Sequence, residues 1–214
     1  MNAKLVTRAA AIAGAGLVAY TGILAAARPW HRRWGAIDDE IAQTLPGDEL
    51  SQDSALANHA ITIHAPVEEV WPWLVQIGQD RAGFYSYSWL ENLFRADIHN
   101  ADEIVPEWQT IEEGGHVRLA SADVYGDGPL LRVSHVRPGR AFVLEGWGEL
   151  VLRPVDKHST RLLIRTHRSK QSPLMKVLSF FLIEPAHFVM ERRMLLGIKE
   201  RAEKNRGRHH VRAA

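Results

Sequence analysis

The sequence predicts an α+β domain: a curved antiparallel sheet, two short helices after its first strand, and a long helix near the C-terminus. A transmembrane helix is expected to precede it. Three observations carry this reading. Five short segments between residues 117 and 168 read as strands, with Pro138-Gly139-Arg140 and Asp156-Lys157-His158-Ser159 as turns between neighbours. Apolar residues recur at helical spacing from Val67 to Ile77 and from Leu174 to Ala202. Residues 9–27 carry no charge.

Composition narrows the function classes. The 214 residues hold 26 Lys+Arg against 25 Asp+Glu, a formal charge of +1, so nucleic acid is not an expected partner. The chain has no cysteine, which excludes disulfides, thiolate nucleophiles and Cys-ligated metal centres. With 46% hydrophobic and 24% charged residues it reads as a globular chain, longer than one domain of roughly 100–150 residues.

The surplus lies at the N-terminus, in residues 1–34. The 19 residues 9–27 are flanked by Lys4 and Arg8 before and by Arg28, Arg32 and Arg33 after. About 20 apolar residues span a bilayer core as a helix. Nine alanines and three glycines against five Leu/Ile/Val make the stretch weakly hydrophobic. A transmembrane anchor is the favoured reading, with Trp30 and Trp34 as interfacial aromatics. A signal peptide cleaved near Ala25-Ala26-Ala27 and a soluble Ala-rich helix compete with it. Residues 35–57 read as an acidic linker around a Pro46-Gly47 turn, spacing a soluble domain from the membrane. Residues 205–214 read as a basic tail; with Lys204, its Arg206, Arg208 and Arg212 suit anionic headgroups and place the soluble domain on the cytoplasmic side of a single-pass protein.

The domain itself is read over residues 58–204. Ala60 to His64 alternates as a half-buried strand that Pro66 ends. Val67, Val70, Trp71, Leu74 and Ile77 then share a helical stripe, with Glu68 and Glu69 in the first turn, where the helix dipole favours acids. Pro72 predicts a kink or a late start. Ser88 and Glu91 have capping-box spacing for a second short helix. The strands read as 117–120, 130–136, 141–147, 149–154 and 161–168. Pro173 suits a first helical position, and Pro185 predicts a kink or restart in the long helix. One helix laid over a curved sheet encloses a cavity unless large side chains fill it, and apolar cavities between layers are common ligand sites.

The segment Ile61-Thr62-Ile63-His64-Ala65-Pro66-Val67-Glu68-Glu69-Val70-Trp71-Pro72-Trp73-Leu74 resembles the opening of START/SRPBCC-superfamily domains. These share the helix-grip fold with polyketide cyclases and birch-pollen-allergen-like proteins. Residues 71–79, 82–92 and 190–199 are similar to a bacterial, membrane-anchored group of that superfamily. The resemblance spans roughly residues 58–204 and implies a polyketide cyclase/dehydrase-like fold. It does not select among lipid carriers, hormone receptors, cyclases and dehydratases.

Candidate ligand-binding residues are Trp73, Tyr85, Trp89, His187 and Glu191. The aromatics sit in or beside the two short helices and offer flat apolar faces with a Tyr hydroxyl as polar handle. Ordinary core packing is their competing role. On a continuous helix Glu184 and Glu191 share a face with His187, which makes His187 and Glu191 the candidate acid–base pair. Glu184-x-x-His187 has no second copy, so neither a di-iron site nor any other metal is expected. Asp97, His99, Asp102, Glu103 and Glu107 form a second polar concentration without metal-ligand spacing. No cofactor is expected. The favoured function is binding of a small hydrophobic molecule or lipid, with membrane attachment through residues 9–27; an enzyme of cyclase, dehydratase or hydrolase type in the same cavity is the alternative.

Overall fold

The computed structural model describes residues 3–50, 55–167 and 171–212, with side chains described at residue 8 and from 11 to 204 within those ranges. The helix α1 runs Ala3–His31 and α2 is Asp38–Ala42. Strand β1, Ala55–Ile63, leads into α3, Val67–Val75, and α4, Ser88–Leu93. Strands β2, His116–Arg118, and β3, Leu130–Arg137, flank a single turn, α5, at Ala122–Tyr125. Then come β4, Ala141–Leu144, β5, Gly148–Asp156, and β6, Ser159–His167. The chain ends in α6, Pro173–Leu178, a π-helical turn at Ser179–Ile183, and α7, Glu184–Arg212.

The architecture is α+β. Six antiparallel strands form one sheet in the order β1-β6-β5-β4-β3-β2, so β2 to β6 make a meander and β1 closes on β6. Period-two alternation sets its faces. Leu162 and Ile164 of β6 and Leu150 and Leu152 of β5 point to the inner face, where they join Trp73, Leu74, Phe142, Leu195 and Ile198 in the main core. Helix α7 lies over that face through Met194, Leu195, Ile198 and Ala202, all buried. Its approach is close because Gly197 sits where a Cβ would collide with the Tyr85 backbone.

Several elements depart from the sequence expectation. Strand β1 starts at Ala55 rather than Ala60, because Ala55 to Ile63 pairs along β6 from His167 to Thr160. Helix α3 keeps Pro72 inside it. Tyr87, not Ser88, is the N-cap of α4, so Glu91 does not serve a capping box there. Pro185 has its predicted effect, since α7 restarts at Glu184 directly after the π turn. The α7 backbone remains helical to Arg212; the side chains of Arg206, Arg208 and Arg212 lie outside the described residues.

Residues 35–50 lie against the outer face of the sheet. Leu45 is buried there with Ala60, Ala141, Val151 and Leu163. Glu40 accepts from Arg161 Nε and Nη2 at 2.7 and 2.9 Å, and Asp48 accepts from Arg165 Nη1 at 2.6 Å. Acids without a base in their own segment thus find bases on β6. Burial alone would raise the Asp48 carboxyl, but the Leu45 amide and the Arg165 guanidinium hold it below the usual carboxylate range. Gly47 permits this contact: φ is +113°, and a Cβ would lie 2.8 Å from Val143 Cγ1 and 2.9 Å from Glu149 Oε2.

Two described helical stretches, Ala11–His31 and Pro173–Lys204, are long and apolar enough to cross a membrane by composition. The first is exposed along most of its length. The second is two things in one, an exposed start and a C-terminal part packed on the sheet.

Candidate functional site

The centre of the helix–sheet interface is solid. Trp73, Tyr85, Phe142, Leu150, Leu195 and Ile198 fill it. The hollow lies toward the N-terminal part of α7, where the sheet turns away toward β3 and β2. It is a cavity of about 230 Å³. Met190 and Met194 of α7 form its roof, and Leu131, Leu144 and Trp147 its floor. Phe84, Ser86 and Glu91 close one side. Methionines suit such a roof, because an unbranched thioether adapts to irregular space.

A polar cluster stands at the roof. Glu191 is buried, and its Oε1 lies 2.5 Å from His59 Nδ1. Its Oε2 accepts from Thr166 Oγ1 at 2.8 Å and lies 3.2 Å from His187 Nε2, which makes no aligned hydrogen bond. His59 Nε2 lies 2.6 Å from the His31 carbonyl at the end of α1. Both ring nitrogens of His59 therefore face oxygen. Burial would raise the Glu191 carboxyl, but His187 beside it and the contacts with His59 and Thr166 hold it below the usual carboxylate range. This buried pair joins β1, β6 and α7 to the end of α1.

Glu91 is the second acidic group at the cavity. One of its oxygens is buried without a partner, and burial pushes the carboxyl up to about 7. Near neutral pH a large share of this group is a carboxylic acid that can donate a hydrogen bond into an apolar space.

The structure brings together His187 and Glu191 at the cavity and places the other candidates elsewhere. Trp73 is fully buried, with its ring edge-on to Tyr85 at 5.7 Å. The Tyr85 hydroxyl accepts from Gln76 Nε2 at 3.0 Å, its ring carries the Arg201 guanidinium at 4.8 Å, and burial pushes its pKa up. Trp89 is 69% exposed. None of these three aromatics lines the cavity. Glu184 turns away from His187 and takes Arg28 of α1 in a two-pronged pair, both contacts at 2.8 Å. Asp97 and His99 pair with each other at an exposed turn, and Asp102 pairs with Arg201.

Sequence reasoning missed His59, Thr166, Glu91 and the tryptophan of the floor. His59 falls in phase with the inward residues Ile61 and Ile63, and that phase was its available signal. Trp147 is an aromatic between Gly146 and Gly148, a pattern that marks a side chain at a turn. Glu91 gave no signal beyond its helical position.

One described group could hold a cation by proximity: Asp48, Glu149 and His167 on the outer face. Arg165 already stands among them, 2.6 Å from Asp48 and 4.0 Å from Glu149. It supplies the positive charge a cation would bring, so the group reads as an ion-pair network.

No protein-family model matches the chain, and no curated protein matches it. Among solved structures it is similar to a polyketide-cyclase-like protein of Corynebacterium glutamicum determined by solution NMR. Identity is 15% and the TM-score 0.34, over 72% of this chain and 94% of that one.

Proposed function

We propose that this chain is a membrane-tethered domain of the SRPBCC helix-grip type that takes a small apolar molecule into the cavity beneath α7. The observation that carries the reading is the cavity itself, an apolar hollow with the His187–Glu191 cluster and Glu91 as its polar points. Its size limits the ligand. An apolar cavity of about 150 Å³ accommodates benzene, so at the same ratio 230 Å³ takes about nine non-hydrogen atoms. A ring system or a short branched chain fits; a two-chain lipid does not fit within it. The polar groups favour a ligand with a hydroxyl or carbonyl, which Glu91 as an acid could satisfy.

Membrane tethering is supported by the exposed apolar length of α1 and by the arginines where it meets the domain. The α1 end of the sheet is also the cavity end: β1 starts there, β6 finishes there, and the β4–β5 turn carries Trp147 beside them. A tether at that end would keep the cavity mouth close to the bilayer. The basic residues after Ala202 favour the anionic cytoplasmic leaflet.

A titration with a small environment-sensitive apolar fluorophore tests the reading. Saturable binding that Leu131→Trp abolishes supports it; no binding to a folded chain overturns it. The enzyme alternative is favoured by one observation, the 3.2 Å approach of His187 to Glu191 beside the cavity. It predicts chemical change in a bound ligand that His187→Ala abolishes while leaving binding in place.

A further inference from the structure

We propose that residues 173–183, the helix α6 and its π turn, form a second membrane element that dips into the leaflet from which α1 emerges. The inference rests on reading α1 as a membrane helix and goes beyond it, because it assigns a bilayer contact to the folded domain itself.

The first support is exposure. All six residues of α6 are exposed, with Leu174 at 77%, and Leu182 and Ile183 continue the surface through the π turn. Helix α6 continues through the π turn into the packed α7, so α7 holds its backbone while its apolar side chains stay uncovered, and contiguous exposed apolar surface of this kind marks a protein or membrane contact.

The second support selects lipid. The surface is continuous with α1. Tyr20 stacks on Phe181 at 6.1 Å, Arg28 lies over Phe180 and pairs with Glu184, and Trp30 meets Phe188 edge-on at 5.2 Å. The π turn and the start of α7 thus lie beside α1 and run in the same direction, with Ile12, Leu17, Val18 and Ile23 exposed on α1 and Leu174, Val177 and Leu182 exposed on the segment that leads into this contact.

The third support is how polar groups on this surface are satisfied. In a continuous α-helix the Phe181 carbonyl would accept from residue 185, but that residue is Pro185 and has no N–H. The Tyr20 hydroxyl donates to it instead, at 2.8 Å. Thr21 Oγ1 likewise donates to the Leu17 carbonyl at 2.8 Å, and the Ser172 hydroxyl accepts from the Met175 amide. Internal satisfaction of backbone and hydroxyl groups is what hydrocarbon demands and water does not. Lys176 is the charged residue of α6, and its long stem lets the ammonium reach the headgroups.

Length fixes the mode. Eleven residues at 1.5 Å rise give about 16 Å, roughly half a hydrocarbon core of about 30 Å, so the segment enters the bilayer without crossing it. It leads directly into His187 and Met190, the start of the cavity roof. A membrane-seated α6 would set the cavity mouth at the interface, where an apolar ligand concentrates.

The absence of cysteine makes the test direct. Single-cysteine variants Leu17→Cys, Leu174→Cys, Leu182→Cys and Lys157→Cys of the full chain are labelled with a small fluorophore. They are reconstituted into phosphatidylcholine–phosphatidylglycerol vesicles and quenched in turn by nitroxide-bearing lipid and by aqueous iodide. The expected result is strong nitroxide quenching and weak iodide quenching at 174 and 182, as at 17, with the reverse at 157 on the distant β5–β6 turn. Iodide quenching at 174 and 182 with position 17 in lipid overturns the inference and leaves the tether standing. Shielding of 174 and 182 from both quenchers overturns it in favour of a protein partner or a second copy. Iodide access at position 17 overturns the tether reading, and this inference with it.

Discussion

Replacing Glu191 by alanine tests the cluster that joins the cavity roof to the sheet. The side chain is 2% exposed and serves His59, Thr166 and His187. Alanine leaves His59, itself fully buried, with its Nδ1 facing no partner. Breaking one partner of a buried pair costs about 3–5 kcal/mol. The orphaned Thr166 hydroxyl adds about 1 kcal/mol, less if it rotates to another acceptor. A total near 4 kcal/mol corresponds to a fall of about 10 °C in Tm for a domain of this size. Removing both polar partners, as His59→Leu with Glu191→Met, leaves no unpartnered ring nitrogen at Nδ1 and should cost clearly less than Glu191→Ala alone. The assay is chemical unfolding of the full chain in mild detergent, followed by tryptophan fluorescence. A loss below about 1 kcal/mol for Glu191→Ala, or a double variant worse than the single, would refute the claim that this pair is held together by mutual satisfaction.

Further expectations follow from the other charged groups. Glu91 has its carboxyl pushed from 4.5 to about 7 by burial, so the folded state binds more protons than the unfolded state between those values. Its contribution is present at low pH and is lost as pH rises through about 7; Glu91→Gln should flatten the stability profile there by about 1 kcal/mol once partial exposure is allowed for, as measured by unfolding at about pH 5 and pH 8. Arg165→Met removes the guanidinium that holds Asp48, the Asn58 side chain and the Gln43, Glu40 and Ile41 carbonyls. It leaves Asp48 facing buried Glu149, so a cost of about 3 kcal/mol and faster proteolysis within residues 36–50 are expected; unchanged cleavage would show that Leu45 packing alone fastens that segment.

Much of the fold was legible in local pattern. Pro138-Gly139 and Asp156 to Ser159 fall at the β3–β4 and β5–β6 turns, and the stripe from Val67 to Leu74 lies on α3. The period of each segment was set by which side it buries, and that is written in adjacent residues. What was not legible depends on distant partners. Glu40 and Asp48 read as spacer charge because Arg161 and Arg165 stand more than a hundred residues away. The favoured aromatics shared a short stretch of chain, but Trp73 and Tyr85 point into the solid core while Trp89 points out. The cavity wall instead draws single residues from β3, β4, the β4–β5 turn and α4 onto four residues of α7, an assembly no local pattern announces. His187 and Glu191 were found because i,i+4 spacing on one helix is local.

The most direct measurement is a native mass spectrum of the full chain released from mild detergent, beside Leu131→Trp. A ligand-binding cavity predicts an added mass of one small apolar molecule on the wild-type chain and its loss when tryptophan fills the cavity floor. A bare chain in repeated preparations that also fails to take up an added ring-sized apolar compound, or an adduct that survives the filled cavity, would contradict it.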